Sequence, residues 1–485
     1  MAVKLRRPIL VGGVGLSFSL LVLQSFHQSI DQLGEFSVIG IIALGICLWL
    51  FQQSQVKNTS LQLDKAPTDR ATVEKVIAQV EGIVSQIATE AENQALSPLL
   101  EKIEQLKVEL NRQEIHLAIT GGKAVGKTTL MQLLSNCVGQ QSLDLQETPA
   151  LFTGTDTITT DAALEQAIAK DLVLFVTNGD LTDTQFQAIN QLTAANQRLM
   201  LVFNKQDQYL PDERASVLCS LRQRMYPTLK AEDVVAIAAS PTPVKVRQHQ
   251  ADGTVQEWME QPAIEITQLT QQLTQILTEE RQQLVWATTN RKAVALKAEA
   301  KAVLNQVRRD RALPIIEQYQ WIAAAAAFAN PVPALDLLAT AAINAQLVMD
   351  LGGIYQQRFS LQQAQTVAGT MGSLMLKLGL VELSSKAIGT VLKSNAITFV
   401  AGGAVQGVSA AYLTRLAGLS LIEYFQQQEI ATSESKLNID KLGQTLQNVF
   451  QQNQQIGFLP GFVKQTVNRI LPETQPEINV SQTVA

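Results

Sequence analysis

The chain has few of the residues that build metal sites and disulfides. Its 485 residues include three cysteines, Cys47, Cys137 and Cys219, and three histidines, His27, His116 and His249. The cysteines are scattered and odd in number. That excludes a disulfide framework and a zinc pattern, and it favours a reducing compartment. The histidines lie too far apart in sequence to suggest a metal constellation. A basic excess is also missing. Thirty-eight Lys and Arg stand against 43 Asp and Glu, for a net charge of −5 and a pI near 5.5. Nucleic-acid binders usually present a basic surface, so no nucleic-acid partner is expected. The mean hydropathy, +0.08, is high for a simply soluble chain, and the apolar excess is unevenly placed. The length exceeds what one core can organise, so two or three domains are expected.

Against these absences stands one complete motif. Gly121-Gly122-Lys123-Ala124-Val125-Gly126-Lys127-Thr128 fits G-x-x-x-x-G-K-[ST], with Thr129 following. Residues 114–120 (EIHLAIT) read as a strand entering the loop, and 128–137 (TTLMQLLSNC) as the helix leaving it. Such a turn lets backbone N–H groups converge on phosphate oxygens, aided by the helix N-terminus. Lys127 would reach the β and γ phosphates, and the Thr128 hydroxyl would ligate Mg²⁺.

Strands and helices alternate beyond the loop. Residues 171–177, 198–203 and 233–238 are near-continuous apolar runs, as expected for parallel strands buried on both faces. Residues 182–196 and 212–225 read as helices between them. The expected fold class is an α/β P-loop NTPase, a parallel sheet with helices on both faces. The strand 198–203 delivers Asn204-Lys205-Gln206-Asp207. In the N-K-x-D motif of the GTPases, which this tetrad resembles, the aspartate accepts both donors on the guanine edge, N1–H and the 2-amino group. Adenine offers no such pair and would leave the carboxylate unpaired, at ~1–3 kcal/mol. Asp252-Gly253 between partly alternating flanks signals a β-hairpin within 244–255.

The tetrad resembles the N-K-x-D motif of the GTPases, and its distance of about 77 residues from Lys127 is typical of the small ones. Residues 113–245 resemble an Era-like GTPase of the translation-factor-related class. By that resemblance Asn204 supports the phosphate loop, the Lys205 stem packs along the base and Asp207 reads it. Ala238, Ala239 and Ser240 occupy the position of the loop that offers backbone N–H groups to guanine. GTP or GDP with Mg²⁺ is then the expected ligand.

The departures from the family are specific. The best candidate for its D-x-x-G motif at the γ-phosphate is Glu147-Thr148-Pro149-Ala150, after the strand 142–146, with Glu in place of Asp and Ala in place of Gly. Glu147 would hold Mg²⁺ through water and, with Lys127, is the candidate catalytic residue; the alternative is an ordinary proline turn. Ala150 resists φ values that glycine tolerates. The gap between Lys127 and Glu147 is short, as if the first switch were trimmed. Thr153, Thr155, Thr157, Thr159 and Thr160 crowd the next loop, and nothing selects one as a Mg²⁺ ligand. No glutamine follows where a water-orienting residue belongs. Slow hydrolysis, or hydrolysis that depends on an activating protein or a second copy of the chain, is expected.

Residues 8–26 and 36–51 are free of charge and follow Lys4, Arg6 and Arg7. They read as a transmembrane hairpin with a cytoplasmic N-terminus, the rival being a cleaved signal peptide. A polar linker leads to two amphipathic helices, around 73–87 and 98–110, whose packing partner is left open. Residues 264–313 read as continuous helix. The basic stretch 291–311 would face either anionic lipid or solvent. Residues 330–338 (NPVPALDLL) resemble a C-terminal domain of unknown function, DUF697 or YcjF-type, that bacterial proteins join to such a GTPase in this order. The segments 333–351, 369–383 and 396–413 are apolar and suit either a helical bundle or a membrane.

The expected organisation is a hairpin over 1–54, a helical linker over 55–112, the P-loop domain over 113–260, an all-α DUF697-like domain over 261–430 and a polar tail over 431–485. The expected setting is a bacterial membrane bilayer with the GTPase domain facing the cytoplasm. The leading expectation is a membrane-anchored GTP-binding protein that switches its helical domain. The alternatives are a non-hydrolysing scaffold and a dynamin-like remodelling GTPase. The tetrad 204–207 argues against a P-loop kinase or ATPase.

Overall fold

The structure is a computed structural model that describes residues 68–91, 96–137, 143–152, 157–249, 255–329, 333–394, 403–427 and 438–455, with 462 and 465. The expected transmembrane hairpin, residues 153–156 of the threonine-rich loop and residues 395–402 lie outside the described residues.

Two helices come first, α1 (Arg70–Glu90) and α2 (Ser97–Glu109). Asp69 caps α1 by accepting the Thr72 N–H, and α2 carries a proline in its first turn, where no N–H is needed. The alternating region follows: β1 (Ile115–Gly121), α3 (Lys127–Cys137), β2 (Leu143–Glu147), α4 (Thr157–Ile168), β3 (Leu172–Thr177), α5 (Asp183–Ala194), β4 (Arg198–Phe203), α6 (Pro211–Met225) and β5 (Val234–Ala236). The five strands are parallel, in the order β2-β1-β3-β4-β5. The β6 (Val244–His249) and β7 (Val255–Glu260) hairpin forms a separate antiparallel pair, as its Asp-Gly turn predicts.

Alternation along the buried strands sends side chains to two cores. Ile115, Leu117 and Ile119 of β1 pack with Leu130 and Leu134 of α3 on one face. Val173, Phe175 and Leu201 pack with Leu164, Ile189 and Leu221 from α4, α5 and α6 on the other. The first face also takes α7 (Thr267–Glu279), through Leu269, Leu273, Ile276 and Leu277. Their spacing makes one apolar stripe, which packs on the sheet. The α/β core therefore runs past the border expected at 260.

The helical region comprises α8 (Arg281–Ala329), α9 (Pro333–Ile354), α10 (Leu361–Lys377), α11 (Leu380–Ser394), α12 (Gly403–Gln426) and α13 (Ile439–Gln455). α8 has 49 residues and carries Pro314 inside it. The end of α8 and the five helices after it share one core that includes Ile316, Leu351, Met371, Tyr424 and Leu446. Among the described residues no single helix is long and apolar enough to cross a membrane. By length and composition alone, α10 passes together with Leu380–Lys386, across a 65° bend.

The first half of α8 carries α1 and α2, with Leu296, Ala300 and Leu304 against Val80, Ile87 and Ile103. This assigns the packing partner that the sequence leaves open. It also gives part of the basic stretch 291–311 partners within the protein. Lys292 pairs with Glu109 and Arg308 with Glu90, each at 2.7 Å, and the Lys297 ammonium donates to Gln79 at 2.7 Å. Acidic groups on α1 and α2, remote in sequence, neutralise Lys292 and Arg308.

Candidate nucleotide site

The strand ends meet at the C-terminal edge of the sheet, the usual place for ligands in open parallel sheets. Gly121 leaves β1 at φ 147°, and a Cβ there would lie 2.2 Å from the Val176 carbonyl. Gly126 has φ 92°, and its Cβ would lie 2.3 Å from Asn204 Nδ2. Neither position accepts a side chain, which is the steric reason for both glycines. Ala124 is at φ 60°, so the loop is strained between them.

Lys127 opens α3, and its side chain is 6% exposed. The ammonium donates to the carbonyls of Gly121 and Gly122 at 3.2 and 3.0 Å. Burial lowers its pKa, and the Glu147 carboxylate pushes it partly back up. The Thr128 hydroxyl is exposed and donates to Glu147 Oε2 at 2.7 Å. Glu147 Oε1 lies 3.9 Å from the Lys127 ammonium. Gly122 and Val125 are buried, whereas Lys123 is exposed and Thr129 half-buried.

Glu147 ends β2 directly beside Ile119. The chain then runs along the loop. The Thr148 N–H donates to the Ile119 carbonyl, the Leu151 N–H donates to that of Gly121, and the Thr148 hydroxyl reaches Thr120 Oγ1 at 2.8 Å. The segment 147–150 thus borders the phosphate loop. Thr160 is the one expected threonine with a described contact, accepting from the Phe152 N–H at 3.4 Å.

Asn204 is the hub of the second half. It is 2% exposed. Its Nδ2 donates to the Val125 carbonyl in the phosphate loop at 2.9 Å. Its Oδ1 accepts from the N–H groups of Lys205 and Ala239, at 2.8 and 3.1 Å. One side chain therefore ties three loops together. Lys205 turns the chain at φ 63° into the 3-10 turn Gln206–Gln208, which carries Asp207. Asp207 Oδ2 accepts the Thr242 N–H at 3.1 Å, while Oδ1 is buried and accepts from no described residue. Ala238 makes an antiparallel bridge with Glu265. A cleft of 630 Å³ opens beside Asp207, bordered by Arg214, Ala238, Pro241, Thr242 and Glu265. It contains no residue of the phosphate loop.

The donor set fits a nucleotide with its cation. An orphaned carboxylate oxygen suits a base donor. The Thr128 and Glu147 oxygens suit a hard cation. Sequence reasoning missed Thr242 and Glu265. The hairpin between them was legible, but nothing in its sequence says that both its ends return to Asp207.

Residues 291–455 match the model of DUF697, described as a domain of unknown function. The match begins inside α8 and ends with α13, both beyond the borders expected at 261 and 430. No curated protein matches the chain. The DUF697 region starts at the opposite edge of the sheet. Arg291, its first residue, donates to the carbonyls of Ile168, Lys170 and Asn196 at 3.0 to 3.3 Å. Burial lowers its pKa to about 10. The α/β domain and the DUF697 region thus share α8 as a continuous element.

Proposed function

We propose that the α/β domain, residues 115–285, binds a guanine nucleotide with Mg²⁺. The carrying observation is the buried Oδ1 of Asp207, which has no hydrogen-bond partner among the described residues while Oδ2 accepts the Thr242 N–H. Guanine supplies two adjacent donors to such a carboxylate, whereas adenine sets its 6-amino donor beside the N1 acceptor and offers no such pair. Lys127 would bind the β and γ phosphates, Thr128 would ligate the cation and Glu147 would hold it through water. Mg²⁺ would neutralise charge on the phosphates. Competition binding with the full-length protein tests this reading. GTP should displace a labelled guanine nucleotide far better than ATP, and equal displacement would overturn it.

Hydrolysis is proposed to be slow, awaiting an activating protein or a second copy of the chain. Glu147 and Ala150 replace the residues that usually surround the γ-phosphate. The same substitutions favour a second reading, a nucleotide-stabilised scaffold that does not turn over. Single-turnover assays separate the two, since phosphate release abolished by Lys127→Ala excludes the scaffold. The uncharged runs 8–26 and 36–51 support anchoring in a membrane, with the DUF697 region as the responsive module. Retention in the membrane pellet after alkaline extraction would support the anchor, and release would remove it.

A further inference from the structure

The insert between β5 and α7 is clamped to the base-reading turn at both ends. Before the hairpin, the Thr242 N–H donates to Asp207 Oδ2 at 3.1 Å. After it, Glu265 exchanges two backbone hydrogen bonds with Ala238, at 2.9 and 3.0 Å. The Glu265 carboxylate also accepts from Gln206 Nε2 at 2.7 Å. Gln261 closes the stem by donating to the Pro241 carbonyl at 2.7 Å. Thr242 and Glu265 thus hold the two residues, Gln206 and Asp207, that follow the left-handed Lys205.

That position needs holding. A non-glycine residue in the left-handed region stores strain of order 1–3 kcal/mol and persists only where its surroundings over-determine it. The restraints on this turn are Asn204 behind it, the Ile237 carbonyl accepting from Gln206 N–H, and the two insert contacts. A carboxylate that reads two donors must also be fixed in rotation, because a loose one loses the second bond. The Thr242 N–H occupies Oδ2 on one side and leaves Oδ1 buried and open.

We propose that Thr242 and Glu265 are positioning residues for base recognition: Thr242 orients the Asp207 carboxylate through its N–H, and Glu265 fixes the turn through Gln206. The specificity of the site then depends on the insert as well as on the tetrad. This inference rests on the guanine reading above.

The test uses the full-length protein, with GTP, ATP and inorganic triphosphate as competing ligands in Mg²⁺. Inorganic triphosphate carries the phosphates and no base. Thr242→Pro deletes the donor N–H between two existing prolines, Pro241 and Pro243, where the following proline already favours an extended backbone. It should weaken GTP about tenfold, the worth of one hydrogen bond to a charged group. Glu265→Ala should weaken GTP about threefold, the worth of an exposed neutral-donor bond. Glu265→Gln retains an acceptor and should restore the parental value. Triphosphate binding should stay unchanged throughout. Gln206→Ala should reproduce Glu265→Ala, and the double variant should add nothing, which keeps the test alive if one variant fails to fold. A parental protein that prefers GTP, with variants that keep GTP affinity or lose triphosphate in parallel, overturns the positioning roles alone. A parental protein without preference for GTP over ATP overturns the guanine reading and this inference together.

Discussion

The two edges of the parallel sheet treat their carboxylates differently. At the N-terminal edge Asp171 and Asp233, at the entrances of β3 and β5, are both paired. Asp171 takes a two-pronged contact from Arg112 at 2.8 Å and the His116 N–H at 2.7 Å. Asp233 and Glu280 share Arg198 in the same manner, and these contacts raise the guanidinium pKa despite the opposing effect of burial. At the C-terminal edge Asp207 keeps one buried oxygen open, Thr128 is exposed, and Gly121, Ala124, Gly126, Phe152 and Lys205 all have positive φ. Paired charge suits permanent docking, here of α8. Unsatisfied groups on strained turns suit a ligand that comes and goes.

This contrast can be broken most forcefully at the docking edge. Arg198→Ala leaves Asp233, 2% exposed, without its cation. It should cost about 3 kcal/mol of stability, read as a lower urea midpoint, with GTP affinity unchanged. An altered nucleotide affinity at equal stability would merge the two edges functionally. Lys127→Ala should act in the reverse sense. GTP affinity should fall about hundredfold, the value of a pair of charge-assisted hydrogen bonds, while the ligand-free protein stays as resistant to urea as before. A smaller effect sharpens the base assignment. Asp207→Asn sets an amide donor against the guanine donors and should weaken GTP about tenfold. The same variant should gain affinity for xanthosine triphosphate, whose base offers a carbonyl in place of the amino group.

The smallest expected effect depends on pH. Burial holds the Lys127 pKa below its ordinary value in the free protein, with Glu147 partly opposing. Bound phosphates favour the charged ammonium, so its pKa rises on binding. GTP affinity should therefore be full below the free-protein pKa and decline as pH rises through it. Titrations between about pH 7 and about pH 10 would read this. Lys127→Arg, charged throughout, should flatten the profile.

The α/β half was legible because its signals are local. The strand–loop–helix order around residues 121–128 follows from two glycines whose positions tolerate no Cβ, and the apolar runs of β3 and β4 follow from burial on both faces. The hairpin followed from Asp252-Gly253. The ion pairs of α8 were not legible because the acidic partners of Lys292 and Arg308, Glu109 and Glu90, lie some 180 to 220 residues earlier in the chain. Local charge patterning cannot distinguish a solvated face from one neutralised by a distant helix. The placement of α7 against the sheet failed to register for a related reason, since an amphipathic stripe does not say which apolar surface it covers.

By itself the sequence determined the glycine-rich turn between β1 and α3, the tetrad that follows β4 and the alternation of strands and helices. Each depends on steric or periodic constraints between near neighbours. Only the tertiary structure decided that Asn204 links the loop to Ala239, that Glu147 accepts from Thr128, and that Thr242 and Glu265 converge on the turn bearing Asp207. Those contacts join segments from different strand ends. Their geometry is set by the register and order of the whole sheet, which no short stretch of the chain encodes.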